Sequence, residues 1–573
     1  MAKRGLQGPG DQRGRCGGLN GEPPGVWGRS SSDKATPPPC QGEGRFRGIT
    51  MRSAIFFASL FLAASWLALP LACADTPVRV TVDARAGLHP ISPYLYGRNG
   101  ALQPDGDDLL RASGLRITRE TGGNNCTKYN WRLDLSSHPD WYNNVYKQNW
   151  PERAQRLQRD FTDLQGLFGF QVLGWVAKTD AVNFHEQEVN PRPESHLNLC
   201  GGGKPTLYLQ PWTAKDTVDI LDYWFGPNGL KLDPARFHYW HLDNEPECWM
   251  STHDDICPKD FSPEECVRRY AAVAREVKTR YPQFRLMAPG FTSEWMWWNW
   301  NNNFVQGMPW VEFFIKRMAE ESKAAGVRLI DVLDFHTYAS PANGTDEDLL
   351  QEYRIFYDPD YKFPGANGCK KYPDGGWHED QKVEMIFGRA EQWLEKYFGP
   401  GHGITLGVTE AAPAQKREMV TALWYASMLG TFADHGVEVF TPWDWRESWW
   451  EVVHLFSHYA GTRRVESRCD AEPTVSAYSS LAASGKSLTV IVLNRSASET
   501  ASVHIALAGF KPLQGPATTL QLANLPEDQR TFKSDTDNAL RRGTVPVGKS
   551  GVTISLPPYS ITAVVLEGAV AAP

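Results

Sequence analysis

The sequence is poor in cysteine and has no excess of basic residues. Its 573 residues include 10 Cys, and 59 Lys and Arg stand against 66 Asp and Glu, for a net charge of −7. So few cysteines exclude a disulfide-dense scaffold, and this charge excludes the basic face of a nucleic-acid-binding protein. A GxGxxG or Walker motif is also missing, which argues against a nucleotide-binding sheet. The sequence contains no internal repeat of solenoid period.

Aromatic residues are what the sequence has in excess. It contains 22 Trp, 20 Tyr and 26 Phe. Because a buried Trp needs a partner for its N–H, a surplus of Trp is typical of half-exposed surfaces, and sugar rings stack on such surfaces. A Trp-rich core is an equally good interpretation of the composition.

The amino-terminal segment differs from the rest of the chain in composition. Residues 1–50 are rich in Gly and Pro and have no apolar periodicity, which predicts a disordered extension or a misread upstream start. Arg52 then precedes an apolar run, Ala54–Leu71, and an Ala-x-Ala exit. This pattern predicts a signal peptide over 51–74 and export, extracellular or periplasmic. A membrane anchor and a lipid-anchored Cys73 are the alternatives.

The chain after residue 74 is acidic, with a net charge of −12. An acidic exported protein avoids polyanions and suits neutral polymers. Three of its seven cysteines, Cys248, Cys257 and Cys266, are spaced by nine residues with no histidine at metal-ligand spacing. We therefore expect no zinc site, and one or two disulfides within 200–266 with an odd thiol left over.

Short β-rich runs alternate with long amphipathic runs between residues 75 and 462. The predicted strands are 94–98, 115–119, 170–176, 237–243, 285–289, 330–336, 404–410 and 437–443. The predicted helices include 105–112, 152–168, 215–225, 263–281, 309–325, 380–398 and 415–434. Because every connection is long enough for a parallel crossover, we predict an α/β fold, a (β/α)8 TIM barrel. A doubly wound open sheet is the competing fold.

After about residue 463 the pattern changes to short strands separated by Gly, Pro and Asn turns. This pattern predicts a C-terminal β-sandwich over 463–573. An early strand, Val78–Asp83, precedes the barrel, and we expect it to pair into the sandwich.

Two glutamates stand at the ends of predicted barrel strands. Glu245 follows strand four in an Asn-Glu-Pro motif, and Glu410 ends strand seven. Catalytic groups of a TIM barrel project from the carboxyl ends of its strands. Cleavage of a glycosidic bond needs two carboxylates across a cleft, one to donate a proton and one to attack. For either glutamate alone, a structural salt bridge is the alternative.

Other residues at these strand ends fit a sugar-binding cleft. We predict that Arg119 orients the nucleophile, that His336 or Tyr338 touches Glu410, and that Asn244 hydrogen-bonds a sugar hydroxyl. A satisfied structural histidine is an equally good interpretation of His336.

Tryptophans follow predicted strands five and eight. Trp443 ends strand eight and offers a stacking face beneath the reacting sugar. The loops add Trp295, Trp297, Trp298 and Trp300 after strand five, and Trp445, Trp449 and Trp450 after strand eight. Loop aromatics at this face predict a long cleft for an extended chain, although packing within the loop explains any single one equally well.

Several of these stretches resemble one known family. They are Tyr94–Asn99, Gly122-Gly123-Asn124 with Tyr129-Asn130-Trp131, Leu242–Pro246 with Trp249, Val475–Ser480 and Leu488–Asn494. Together they are similar to glycoside hydrolase family 44, within the clan of barrel glycosidases whose catalytic glutamates lie on strands four and seven. The resemblance spans about residues 77–566.

The resemblance implies a retaining endo-β-1,4-glucanase acting on cellulose or xyloglucan chains, with Glu245 as acid/base and Glu410 as nucleophile. One departure is that Ala411 and Ala412 follow Glu410, where the family usually has an aromatic residue and Asn. The alternatives are a glycanase of the same clan that cuts xylan or mannan, and a non-catalytic glycan-binding protein. We expect no cofactor. Some family members bind a structural calcium ion, but no EF-type loop is present here, so the sequence leaves the question of a calcium site open.

Overall fold

A computed structural model of the protein describes most of the chain after residue 76. The described residues are 77–102, 107–138, 143–181, 204–294, 296–338, 344–364, 383–414, 418–443, 447–523 and 540–571. The predicted extension and signal peptide, residues 1–74, lie outside these ranges. Within them, no helix combines the length and the apolar character needed to cross a membrane.

Eight parallel strands form one sheet in which spatial order follows chain order. Numbered one to eight, they are Gly97–Asn99, Ile117–Arg119, Gln165–Phe170, Tyr239–Leu242, Arg285–Phe291, Val332–Thr337, Thr405–Ala411 and Val439–Phe440. Strands one and eight meet where the backbone N–H of Asn99 donates to the carbonyl oxygen of Pro442 at 3.0 Å. The sheet thus curls into a nearly closed (β/α)8 barrel, which confirms the predicted fold over the open sheet.

A helix follows each barrel strand and covers the outside of the barrel. These helices are Asp107–Ser113, Trp150–Asp160, Ala214–Phe225, Pro263–Arg280, Trp310–Ala325, Ile386–Phe398, Glu418–His435 and Glu447–Tyr459. Short helices, Trp249–Thr252 and Asp346–Leu350, lie in the loops after strands four and six. The eighth helix has no counterpart among the predicted ones, because its buried tryptophans and valines mask a helical period.

Strand three lies about five residues earlier than predicted. It is Gln165–Phe170 rather than 170–176, and the helix before it ends at Asp160 rather than at residue 168. Its glycines hide the strand in the sequence, since Gly is rare in strand interiors. A Cβ at Gly169 would lie 2.3 Å from Sγ of Cys126, so close packing requires glycine there.

Side chains fill the barrel interior in two layers. The lower layer is apolar and contains Ile117, Leu167, Tyr239, Met287, Val332 and Val439. Alternate residues of a strand face the same side, so the next inward positions on strands two, four and six carry Arg119, His241 and Asp334. All three are buried. The barrel therefore has an apolar floor and, above it, a polar layer at the carboxyl ends of the strands.

The strands after the barrel form the predicted β-sandwich. They are Arg463–Cys469, Val475–Leu481, Ser487–Asn494, Ala501–Ala508, Pro516–Leu522, Arg541–Gly548, Gly551–Leu556 and Ser560–Val570. Val78–Asp83 pairs antiparallel with the first of these strands and parallel with the fourth. The smaller strands are His89–Pro90, Leu135–His138, Asn143–Lys147, Trp175–Ala177, Leu209–Pro211 and Phe510–Pro512.

The described cysteines are all free thiols. The disulfides expected within 200–266 are therefore wrong for Cys248, Cys257 and Cys266, which are buried without forming a disulfide. Burial raises the pKa of Cys257 to about 12, so it behaves as a small apolar residue. Cys200 and Cys369 lie outside the described residues.

A buried arginine joins the sandwich to the barrel. Arg495 donates to Oγ of Ser427, in the seventh barrel helix, at 2.9 Å and to the carbonyl oxygen of Pro473 at 2.7 Å. Its guanidinium also lies 4.5 Å from the ring centre of Tyr353. Because Arg495 is buried, these acceptors replace the water it would otherwise bind.

Replacing Arg495 by Leu should destabilise the protein by about 2–4 kcal/mol, because buried acceptors on both sides lose their donor. Urea unfolding measures this change. Arg468→Leu is the matched control: its side chain is 81% exposed, and we expect a change below about 0.5 kcal/mol. Equal effects of the two substitutions would contradict the joining role of Arg495.

Candidate active site

The chain turns sharply after strand four, which directs Glu245 into the barrel mouth. Asp243 and Glu245 have positive φ angles of 58° and 45°, a strained conformation for residues with side chains. The Asp243 carboxylate stabilises the turn by accepting hydrogen bonds from the Thr127 hydroxyl at 2.6 Å, Val172 N at 2.6 Å and Asn244 N at 2.9 Å. Burial nevertheless raises the pKa of Asp243 to about 6.

Glu410, at the end of strand seven, is buried among hydrogen-bond donors. Arg119 Nη1 lies 2.5 Å from its Oε1, and the backbone N–H of Gly123 donates to the same oxygen at 3.2 Å. The Tyr338 hydroxyl donates to Oε2 at 2.8 Å. Burial holds the pKa of Tyr338 well above its ordinary value, so this hydroxyl keeps its proton. These contacts satisfy a negatively charged carboxylate.

Glu245 has different surroundings. Its Oε1 lies 2.9 Å from Nδ1 of His336, and its side chain is 16% exposed. Burial, together with the charge of Arg119, keeps the pKa of His336 well below its ordinary value, so the imidazole is neutral. Nδ1 of His336 also lies 3.7 Å from Oε2 of Glu410. One carboxylate therefore contacts a guanidinium and the other a neutral imidazole.

Arg119 connects the strands that carry the two glutamates. Besides Glu410, its guanidinium reaches Oδ1 of Asn244 at 2.8 Å and Nδ1 of His241 at 3.4 Å through Nη2. The structure thus brings Arg119 and Tyr338 onto Glu410, as predicted, and His336 nearer to Glu245 than to Glu410.

A hydrogen-bonded layer lies beneath these residues. Nε2 of His241 is 2.6 Å from Oδ2 of Asp334, the Thr409 hydroxyl donates to the same oxygen, and Nε2 of His336 is 3.2 Å from Oγ1 of Thr409. Burial alone would raise the pKa of Asp334, but the hydrogen bonds from His241 and Thr409 hold it below its ordinary value. Burial and the charge of Arg119 lower the pKa of His241. The layer therefore combines a carboxylate with neutral imidazoles.

Two groups of described side chains place possible metal ligands within 4.8 Å of one another. They are His241, Asp334 and His336, and Glu245, His336 and Glu410. In the first group, the imidazole of His241 and the carboxylate of Asp334 already hydrogen-bond each other. In the second, a cation would face the guanidinium of Arg119, 2.5 Å from Glu410. This donor set suits proton transfer better than metal binding.

Trp443 is the one predicted stacking platform within the described residues that is exposed, with 41% of its surface accessible. Its ring lies against Gly122 and Gly123. A Cβ at Gly122 would lie 2.7 Å from this ring and 2.8 Å from Nη1 of Arg119. The glycine pair therefore lets Trp443 approach the N–H group that binds Glu410. Sequence reasoning missed this role, although the Gly-Gly pair after strand two was its signal.

The other loop tryptophans differ from the prediction. Trp297, Trp298, Trp300, Trp449 and Trp450 are buried, so the predicted aromatic wall of the cleft is wrong for them. Buried indoles find internal partners, as where Nε1 of Trp298 donates to Glu384 at 2.8 Å. Trp295 and Trp445 lie outside the described residues. The excess of Trp thus serves the core to a large extent.

Comparison with known proteins supports the sequence resemblance. Residues 135–341 match the family model described as Glycoside hydrolase family 44. The chain is 24% identical over 408 residues to Beta-mannanase/endoglucanase A of Caldicellulosiruptor saccharolyticus, and 22% identical over 491 residues to Endoglucanase A of Paenibacillus lautus. These alignments cover 64% and 76% of this chain, but 30% and 66% of the two relatives, less than two thirds of either.

Solved structures show the same fold at low identity. CelM2, a bifunctional glucanase-xylanase from a metagenome library, matches with a TM-score of 0.70 and 20% identity, over 86% of this chain and 99% of its own. A Paenibacillus polymyxa xyloglucanase of family 44, determined with xyloglucan, matches with a TM-score of 0.67 and 19% identity over the same shares. An arabinofuranosidase from Thermotoga maritima matches less well, with a TM-score of 0.57.

Gly122→Ala should lower kcat by about 100-fold, because the added methyl group displaces Arg119 from its contact with Glu410, and it should also weaken binding, because the same methyl group pushes against the ring of Trp443. Steady-state kinetics on the best substrate measures this. Gly543→Ala is the control, since a Cβ there meets only Thr519, at 3.0 Å, in the sandwich. Unchanged kcat in Gly122→Ala would contradict the close packing.

Glu247, in the loop after strand four, should make stability depend on pH. It is buried against Trp310 and Thr292, and burial raises its pKa to about 7. The unfolded chain loses this proton near pH 4.5 and the folded protein near pH 7, so stability falls between these values. The Tm of Glu247→Gln, relative to the unmodified protein, should therefore rise from pH 4.5 to 7.5. Calorimetry checks this, and exposed Glu499→Gln should show no such trend.

Proposed function

We propose that this protein belongs to glycoside hydrolase family 44 and that it is a secreted, retaining endo-β-1,4-glycanase that cleaves glucan chains of the cellulose and xyloglucan type. The observation that carries the proposal is the spacing of Glu245 and Glu410, whose nearest carboxylate oxygens lie within 4.8 Å at the barrel mouth. Retaining enzymes hold their carboxyl groups about 5–5.5 Å apart, whereas inverting enzymes need about 6.5–9.5 Å to admit a water molecule.

The reaction would then proceed in two displacements. In the first, Glu410 attacks the anomeric carbon while Glu245 gives its proton to the glycosidic oxygen, so the C–O bond breaks and a glycosyl ester forms on Glu410. In the second, the Glu245 carboxylate takes a proton from a water molecule that attacks the same carbon, and Glu410 leaves as a carboxylate. Neither step uses a cofactor.

The contacts of Glu410 favour one of its oxygens as the nucleophile. Arg119 and Gly123 both bind Oε1, whereas Oε2 accepts from Tyr338 and lies 3.7 Å from Nδ1 of His336. Oε2 is therefore the oxygen we assign to the attack. Arg119 and Tyr338 orient the carboxylate and stabilise it when it leaves again.

Two further residues complete the proposed subsite. Trp443 presents an exposed ring beside the nucleophile, which suits stacking of the sugar bound there. Asn244 stands beside Glu245 and is held by Arg119, which suits a hydrogen bond from its amide to a sugar hydroxyl.

The substrate and the location of the enzyme are the finer parts of the proposal. The names of the similar proteins cover glucanase, xyloglucanase, xylanase and mannanase activities. Glucan is the favoured substrate because glucanase recurs among these names. The Ala411-Ala412 pair departs from the residues usual in the family, so xylan and mannan have to be tested as well. Secretion rests on the signal-peptide pattern over residues 51–74.

Glu245→Gln should lose about 10²- to 10⁴-fold of the activity on polymers, because departure of a sugar hydroxyl needs a proton. It should keep much more activity on an aryl cellobioside with a good leaving group, which departs without one. New reducing ends on xyloglucan, carboxymethyl cellulose, xylan and mannan, and release of the aryl group, measure both effects. Proton NMR of the first product should show the β-anomer.

Two variants complete the experiment. Glu410→Ala should lose activity on both kinds of substrate, and Glu247→Gln, two residues from Glu245 but buried against the barrel wall, should retain it. Equal losses of Glu245→Gln on both substrates would contradict its acid role, and an α-anomer would contradict retention. Reducing ends from xylan or mannan alone would move the substrate assignment, and binding without any cleavage would indicate a glycan-binding protein.

A further inference from the structure

We propose that Thr409 and Asp334 are positioning residues that fix the tautomer of His336. In this tautomer, Nδ1 of His336 accepts a hydrogen bond from a protonated Glu245. Glu245 thereby keeps, in the resting enzyme, the proton that it later donates to the glycosidic oxygen. The inference rests on the proposed function, because it concerns the acid of the first displacement. It assigns roles to two buried side chains that neither touch the sugar nor react.

The guanidinium of Arg119 has donors and no acceptor. Its Nη2 lies 3.4 Å from Nδ1 of His241, so this nitrogen must accept. His241 is buried and neutral, and its single proton is therefore on Nε2. Nε2 lies 2.6 Å from Oδ2 of Asp334, to which it donates.

The hydroxyl group of Thr409, on strand seven, determines the next proton position in the same way. Asp334 is an ionised carboxylate and can only accept, so the single hydroxyl proton of Thr409 points to its Oδ2. The Thr409 oxygen, 3.2 Å from Nε2 of His336, is then left as an acceptor. His336 is neutral as well, and its one proton must lie on Nε2.

Nδ1 of His336 consequently presents a lone pair to Oε1 of Glu245 at 2.9 Å. If Glu245 were ionised, two acceptors would face each other without a proton between them. A protonated Glu245 donates to Nδ1 instead, which makes the contact a hydrogen bond and stabilises the neutral acid.

The other groups around the imidazole do not supply this proton. Charged and titratable groups from four strands and their ends face the imidazole. They are Arg119 of strand two, His241 of strand four with Glu245 in the loop after it, Asp334 of strand six with Tyr338 at its end, and Glu410 of strand seven. Tyr338 donates to Glu410, and Arg119 donates to Glu410, Asn244 and His241. Glu245 is the partner that Nδ1 requires.

Thr409→Val tests the relay, because it removes the hydroxyl and keeps the side-chain shape. His336 is then free to carry its proton on Nδ1 and to donate to an ionised Glu245, which lowers the pKa of the acid. We expect the alkaline limb of kcat/KM on the polymer to move down by about one pH unit. At pH values above this limb, kcat/KM on the polymer should fall about tenfold, while activity on the aryl cellobioside should change less than about threefold.

Thr409→Ser keeps the hydroxyl and should keep the limb in place. Thr441→Val is the matched control: its hydroxyl is also buried and donates to the backbone oxygen of Thr409 at 2.9 Å, but it does not touch His336. A lower kcat in Thr409→Val with an unmoved alkaline limb would show a merely structural role and overturn the proposal. So would an equal shift in Thr441→Val.

A neutron crystal structure at neutral pH gives a readout that needs no folded variant. Deuterium on Nε2 of His336 and on the Glu245 carboxyl group, with none on Nδ1, is the expected result, and deuterium on Nδ1 would overturn the proposal. Failure of the proposed function itself is seen separately, since polymer cleavage by Glu245→Gln would remove the acid role whatever the tautomer is.

Discussion

The active site depends on one buried guanidinium, that of Arg119, which is 1% exposed. A charge removed from water in this way is tolerated only where partners satisfy it. Arg119 finds them at the ends of strands four and seven, where it contacts Asn244, His241 and Glu410. Because a single planar group must satisfy these acceptors together, the two strands that carry the glutamates are held at one spacing. The distance between the carboxylates therefore depends on an arginine that contacts one glutamate directly and reaches the other through its neighbour, Asn244.

The barrel makes room for this charge through the two-residue period of its strands. The inward positions of strand two are Ile117 and then Arg119, and those of strand six are Val332 and then Asp334. An apolar floor closes the amino-terminal end of the barrel, while the same strands carry polar groups two residues later. Each of these polar groups is costly to bury alone and acceptable only as part of a bonded layer. The layer thus places strict limits on which residues can stand beside the glutamates.

The barrel, the sandwich and the strand-end glutamates were predictable because each depends on a local pattern: alternation of strands and helices, turn residues, and a carboxylate at a strand terminus. Strand three was not, since its glycines serve close contacts, Gly166 with Phe237 and Gly169 with Cys126, that appear only after folding. The tryptophans of the loops were misassigned for the same reason, because local sequence does not tell whether an indole such as Trp298 meets Glu384 or water. The role of Thr409 depends on three strands together and has no motif.

Two glutamates of identical chemistry have different surroundings here, which supports the different roles proposed for them. Glu410 accepts hydrogen bonds from a guanidinium, a backbone N–H and a phenol. Glu245 contacts the imidazole of His336, which burial keeps neutral. A neutral imidazole can accept a hydrogen bond, but it places no charge beside Glu245. The Asn-Glu-Pro motif and the strand-seven Glu show where carboxylates stand; the side chains on strands two and six determine the hydrogen-bond partners of each. The proposed division of labour between acid and nucleophile thus rests on the whole barrel mouth.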